Sequence, residues 1–262
     1  MAVNIIRRRD GRVEVSEESG VRYLHLGNDA VQSAMRLARP VDLELAYTRA
    51  MMACLLLHPG PRDFCMIGLG GGSIAKFVHR KLPDARIRVV ELNREVIAVA
   101  RSMFGLPQDD ARLTVEAGDG AHFVASAIER ADVLMVDGFD RLAQVQALAT
   151  RRFYGRAVAN LKPGGMLVVN LLRDDRGLDD YLGRIEAACG GGTLCLEAKG
   201  EPNLIVFGFR DPVAPLRWKI LKARALQLER ATGMKFGGFL QGLRRLNPST
   251  QTYLKPSRGG LF

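Results

Sequence analysis

The sequence predicts an α/β chain: a Rossmann-like, seven-stranded, mostly parallel sheet, with a small N-terminal antiparallel β unit before it and a basic helical C-terminal tail after it. Three observations carry that reading. From about Arg62 onward strand-like and helix-like segments alternate strictly, as in βαβ units feeding a parallel sheet. The first of those strands runs into the cluster Gly68-Leu69-Gly70-Gly71-Gly72, and the second ends on an acid, Glu91. Last, the formal charge of +10 is unevenly spread: residues 210–262 hold eleven of the 38 Lys and Arg but only two acids, Asp211 and Glu229.

In chain order, polar and apolar residues alternate through Val13-Glu14-Val15 and again from Val21 to Leu26, with turn chemistry at Ser19-Gly20 and Gly27-Asn28-Asp29. That is an antiparallel β unit, closed by Pro40. Residues 43–57 are apolar on a helical period, and Pro59-Gly60-Pro61 stops them. Strands follow at 63–69, 86–92, 113–117, 132–137 and 166–171, with helices at 73–81, 94–104 and 151–161. Lys162-Pro163-Gly164-Gly165 ends the last of these helices. A helix at 178–189 leads to paired strands at 194–198 and 204–209, the second expected to be antiparallel. Beyond Pro215 the chain reads as helical and basic through Thr232, then breaks into glycines and a polar end. This divides the chain into an N-terminal β unit (1–40), a Rossmann-like domain (41–210) and a basic helical extension (211–262).

A chain of 262 residues, 47% hydrophobic and 25% charged, has the composition of a folded soluble protein. No run approaches the roughly 18 apolar residues of a membrane span, and Arg7-Arg8-Arg9 has no apolar stretch behind it, so a cytoplasmic location is expected. Cys54, Cys65, Cys189 and Cys195 form no CxxC pair and read as reduced core thiols. His25, His58, His79 and His122 show no HxH or HxxxH spacing, so no metal is expected. Trp218, within a basic run, reads as packing for the C-terminal helix. The basic excess fits either a solvated surface or an anionic partner.

The chemistry gathers at strand ends. A strand entering Gly68-x-Gly70-x-Gly72 and then a helix lets backbone approach a ligand where side chains would obstruct it. The signal strengthens when a second strand ends in an acid about 20 positions on, as at Glu91, where a carboxylate can take both ribose hydroxyls. Two further acids follow the third and fourth strands, in Gly118-Asp119-Gly120 and Asp137-Gly138-Phe139-Asp140. Asp119 is placed for an adenine amino group; helix capping is the plainer reading for Asp119 and Asp140. No Walker lysine follows the loop, which excludes a phosphate-cradling P-loop and leaves a nucleoside with little phosphate, or a dinucleotide.

Taken together these motifs resemble the spermidine synthase (polyamine aminopropyltransferase) family, of the class I adenosylmethionine-dependent transferase fold. The resemblance spans about Val13 to Phe209. It rests on Gln32-Ser33, Ile67-Gly68-Leu69-Gly70-Gly71-Gly72-Ser73, Val89-Val90-Glu91-Leu92-Asn93, Gly118-Asp119-Gly120, Val136-Asp137-Gly138-Phe139-Asp140, and Phe153-Tyr154 with Leu161-Lys162-Pro163-Gly164-Gly165. It implies decarboxylated adenosylmethionine, or adenosylmethionine itself, as co-substrate, with no metal. Cofactor contacts would come from Gln32, Gly68, Gly70, Gly72, Glu91, Asp119 and Gly120. An amine such as putrescine would be the acceptor, Asp137 its base with Asp140 second, and a homodimer the assembly. Three positions depart from the family pattern: Gly71 replaces a loop acid that meets the donor's propylamine, Gly138-Phe139 replaces the usual neighbours of the strand-end acids, and Tyr47-Thr48-Arg49 replaces Tyr-His-Glu. Methyl transfer, or a catalytically silent binding homologue, are the alternatives.

Overall fold

The computed structural model describes residues 4–6, 13–27, 30–126, 131–140, 143–144 and 146–257. Strands β1 (Asn4–Ile6), β2 (Val13–Glu18), β3 (Val21–Leu26) and β4 (Val31–Arg36) form an antiparallel sheet in that order, with β2 and β3 joined by a tight turn at Ser19-Gly20. This is the antiparallel unit that the alternation predicts.

Next come short helices α1 (Ala46–Met51) and α2 (Cys54–Leu57) where the sequence reads as one helix. The hydrogen bonds tighten to a three-residue step at Ala53 N–H to the Ala50 carbonyl and at Leu55 N–H to Met52. The cause is burial. Every residue from Ala50 to Leu57 is inside, which a regular helix with one apolar stripe could not achieve at a surface.

The large sheet is built from β5 (Asp63–Ile67), β6 (Arg86–Glu91), β7 (Leu113–Ala117), β8 (Ala131–Val136), β11 (Leu161–Leu172), β12 (Thr193–Glu197) and β13 (Asn203–Phe209); two-residue strands β9 (Phe139–Asp140) and β10 (Ala143–Gln144) form a separate hairpin. Its order is β12-β13-β11-β8-β5-β6-β7. Strands β11, β8, β5, β6 and β7 run parallel; β13 is antiparallel to both neighbours, as expected for its segment. Continuous apolar runs such as Val133–Val136 and Met166–Val169 are what strands covered on both faces require. One face carries α3 (Ser73–Lys81) with α1 and α2; the other carries α5 (Gly120–Ser126), α6 (Arg151–Ala159) and α7 (Leu178–Ala188). Helix α4 (Arg94–Met103) buries Val96 and Val99 against Val13, Val15 and Leu24 of the N-terminal sheet. Strand β11 starts earlier than the sequence suggests, with its register broken between Leu161 and Met166 where Pro163-Gly164-Gly165 bulge.

The C-terminal segment corrects the sequence reading most. Helix α8 (Trp218–Thr232) is as expected, but the glycines beyond it do not end the structure: Gly237–Leu246 is a helix, α9. Gly242 lies where α9 presses on β12, and a Cβ there would meet Leu196 Cδ1 at 2.5 Å. Close packing, not a break, explains that glycine. Strands β14 (Leu216–Arg217) and β15 (Tyr253–Leu254) pair behind it. Trp218, Leu221, Ala225, Phe236, Leu243 and Leu254 belong to the same apolar core as α1, α2 and the sheet. Trp218 packs as anticipated, with its indole N–H on the Thr250 carbonyl and Arg244 over its ring. Among the described residues no helix is long and apolar enough to cross a membrane. All four cysteines are buried and none is in a disulfide.

Candidate active site

The carboxyl ends of β5, β6, β8 and β11 open into one cleft of about 730 Å³, roofed by β4 and α1 and closed on the far side by the turn between β12 and β13. At its base the chain leaves β5 at Gly68, whose φ of 94° is left-handed. A Cβ there would stand 2.2 Å from the Asp137 carbonyl, so only glycine lets the β5 and β8 ends converge. Gly68 and Gly70 line the cleft. Gly72 does not: it caps α3 behind the loop, against Leu106.

Glu91 lies across the loop mouth. Its Oε2 accepts the Leu69 N–H at 2.8 Å and its Oε1 the Asn93 N–H at 2.9 Å, which fixes the carboxylate while each oxygen keeps a lone pair toward the cleft. Asp119 caps α5, its Oδ1 taking the N–H groups of Ala121 and His122 at 2.7 and 3.1 Å. The capping reading is therefore realised, and the same residue also lines the cleft together with Gly120. Gln32 lines the opposite wall. Leu92, 71% exposed, offers an apolar surface at the rim beside Glu91.

Asp137 faces the cleft at the end of β8. Its Oδ1 accepts from Asn170 Nδ2 at 2.8 Å, and Asn170 Oδ1 accepts in turn from Asn203 Nδ2 at 3.0 Å. The Tyr47 hydroxyl lies between Asp137 and the Gln32 carbonyl, 3.2 Å from the latter, with one proton to give. Burial lifts the Asp137 carboxyl above the ordinary carboxylate value; the Asn170 and Tyr47 hydrogen bonds oppose that rise and the nearby Glu91 charge adds to it. Burial, then Asp137, push the Tyr47 phenol well above its usual range, so it stays a neutral donor. The side chain of Asp140 lies outside the described residues.

Sequence reasoning passed over Asn170, Glu201 and Asn203, all of which line the cleft. Asn170 had a signal: it is a lone amide inside the apolar run Leu167-Val168-Val169-Asn170-Leu171, and such a group must be hydrogen-bonded. Glu201 sits in the turn before β13 and Asn203 is the first residue of that strand, where composition gives no warning.

The departures at 49 and 71 have structural accounts. The Arg49 guanidinium turns away from the cleft onto the carbonyls of Leu43 and Glu44, at 2.7 and 2.5 Å, while the Glu44 carboxylate pairs with Arg36. Gly71 is buried and does not line the cleft; a Cβ there would be 2.7 Å from Phe104 Cδ1 and 2.8 Å from Ser33 Oγ. Phe104 is itself clasped by a lysine: Lys76 of α3, 2% exposed, donates to its carbonyl at 2.5 Å.

The Spermine/spermidine synthase domain family matches residues 44–171, the span from α1 through β11. A polyamine aminopropyltransferase of Chromobacterium violaceum is 39% identical over 242 residues, 92% of this chain and 93% of that one. The chain belongs to the spermidine synthase family. It is an aminopropyltransferase-type enzyme with the methyltransferase-like fold of its relatives. A spermidine synthase in complex with the transition-state analogue AdoDATO superimposes with a TM-score of 0.73 at 18% identity, covering 91% of this chain and 84% of that one. Human methyltransferase-like protein 13, in complex with SAH, gives 0.65 at 29% identity, covering 73% and 94%.

Proposed function

We propose that the cleft transfers an aminopropyl group from decarboxylated adenosylmethionine to a diamine such as putrescine. One observation carries the reading. In a chain of formal charge +10, the cleft is lined by four carboxylates, Glu91, Asp119, Asp137 and Glu201, and by no Lys, Arg or His among the described residues. Such a wall suits a sulfonium donor and an ammonium acceptor. It offers no side-chain cation to the carboxylate that adenosylmethionine itself carries, which disfavours methyl transfer.

In this reading Glu91 holds the ribose hydroxyls, Asp119 receives the adenine amino group, and Gln32, Gly68, Gly70 and Gly120 shape the nucleoside bed. Gly72 serves indirectly, by starting α3. The acceptor nitrogen gives its proton to Asp137 and its lone pair to the carbon bonded to sulfur. That C–S bond breaks with its electrons going to sulfur, leaving neutral methylthioadenosine and needing no general acid. The raised Asp137 carboxyl makes it a better base than an ordinary carboxylate, and before it takes the proton its charge draws in the acceptor's ammonium. Asp140 is the second acid of that strand end. Four buried cysteines with no disulfide among them suit a reducing compartment, and we assign the reaction to the cytoplasm.

The test is incubation with decarboxylated adenosylmethionine and putrescine. Methylthioadenosine should be released, and Asp137→Asn should slow its release by about a hundredfold or more. Absence of methylthioadenosine across a panel of amines would refute the reading, and adenosylhomocysteine formed from adenosylmethionine would replace it with methyl transfer.

A further inference from the structure

Glu201 is the cleft acid that the donor does not account for. It belongs to a rigid turn: the Glu201 N–H bonds the Ala198 carbonyl, Ala198 N–H bonds Asn203, and the Pro202 carbonyl takes the Arg173 N–H at 2.8 Å. From there its carboxylate reaches α1, with Oε1 on the Ala46 N–H and Oε2 on the Tyr47 N–H, both at 2.7 Å. No ion pair neutralises it among the described residues. Each oxygen spends one lone pair on the backbone and keeps another.

Tyr47 connects this acid to Asp137. Its backbone N–H meets Glu201, its hydroxyl stands beside Asp137, and its side chain lines the cleft between them. The two carboxylates thus contact the two ends of one tyrosine, whose N–H and hydroxyl stand roughly 7 Å apart by ordinary covalent dimensions. The terminal nitrogens of an extended four-carbon diamine are separated by about the same length. A diamine laid along Tyr47 places its methylenes on an aromatic wall and one ammonium at each acid.

We propose that Glu201 is the distal anchor of the acceptor subsite, holding the far ammonium of an α,ω-diamine whose near nitrogen is delivered to Asp137. This rests on the transferase reading above. Asn203, the first residue of β13 just beyond that turn, joins the anchor to the reacting end, because its amide donates to Asn170 and Asn170 donates to Asp137.

The experiment compares 1,4-diaminobutane with n-butylamine, which has the same chain and one nitrogen fewer, using methylthioadenosine release in the wild type, Glu201→Gln and Glu201→Asp. The wild type should prefer the diamine, and Glu201→Gln should raise the diamine KM by about tenfold to a hundredfold, the worth of a charge-assisted contact. The diamine KM should rise well beyond any change in the butylamine constants or the donor KM, so that the preference disappears. Glu201→Asp keeps the charge on a shorter arm and should retain part of it. If Glu201 only fastens the turn to α1, the variants impair diamine, monoamine and donor alike, and the proposal falls. It falls equally if the wild type does not prefer the diamine, and if neither variant folds, since Glu201 is then a fastening of the turn to α1. A wild type that releases no methylthioadenosine from any amine refutes instead the transferase reading on which the anchor depends.

Discussion

Lys76→Met tests the cost of a buried charge beneath the glycine loop. Lys76 lies on α3 with its Nζ on the Phe104 carbonyl and 3.2 Å from Met35 Sδ, and no carboxylate pairs with it among the described residues. Burial lowers its pKa from 10.5 to about 8. Between those values the unfolded chain holds a proton that the folded chain has released, so stability rises with pH through that window. Below pH 8 the folded state bears the full penalty of the buried ammonium, about 3 kcal/mol for a shift of this size. Methionine keeps the packing of the stem and loses the bond to Phe104, about 1 kcal/mol. The variant should therefore be more stable than the wild type by about 2 kcal/mol at pH 7, with the advantage gone or reversed near pH 10. Urea midpoints of both chains at pH 7, 8.5 and 10 measure this, with equal m-values confirming an unchanged fold. Other titrating groups are common to both chains and cancel in the difference. A wild-type-minus-variant difference that stays flat with pH would refute the argument.

Two further expectations follow from the packing. Asn170→Ala removes a hydrogen bond that holds the Asp137 carboxyl down, so the acid limb of the kcat/KM profile should move to higher pH, with about 1–3 kcal/mol lost in urea because Asn203 loses its acceptor; an unmoved limb would show that Asp137 does not govern it. Ending the chain at Arg210 strips Trp218, Leu221, Phe236, Leu243 and Leu254 from the core, each contributing about 1.5–3 kcal/mol, a total that rivals the whole stability of a domain. The shortened chain should aggregate or bind ANS, whereas a cooperative, native-like melt would show that 211–262 is a separable appendage.

What could be read in advance divides along a physical line. Residues that interact with their own neighbours in sequence were legible: the Ser73–Lys81 helix begins and ends as its pattern dictates, and Glu91 ends β6 where the alternation places it. Residues whose meaning comes from distant partners were not. Nothing near Gly242 reveals that Leu196 will press against it, and nothing near Glu201 reveals α1, 155 residues away in sequence. The broken helix at Met52-Ala53 belongs to the same class, because the burial that tightens it is supplied by the sheet and α8. Gly71 is intermediate. Its identity stood out, but that its Cβ direction points into Phe104 and Ser33 and away from the cleft could be known only from the fold.

The charge distribution brings these points together. Long-range attraction cannot draw a polyammonium acceptor to a body of formal charge +10. At physiological ionic strength, however, fields decay over about 8 Å, so an amine at the cleft mouth responds to the acids lining the cleft more than to the basic residues of α8 and α9. Much of that basic surface is occupied locally: Arg224 bonds the Leu56 carbonyl, Arg244 lies over Trp218, and Arg245 pairs with Glu197 on the strand leading into the Glu201 turn. The C-terminal cations thus help fasten α8 and α9 to the sheet, and α9 rests on β12, one of the two strands that present Glu201. The net charge of the sequence reports how the chain is held together, and the local charge of the cleft reports what it binds.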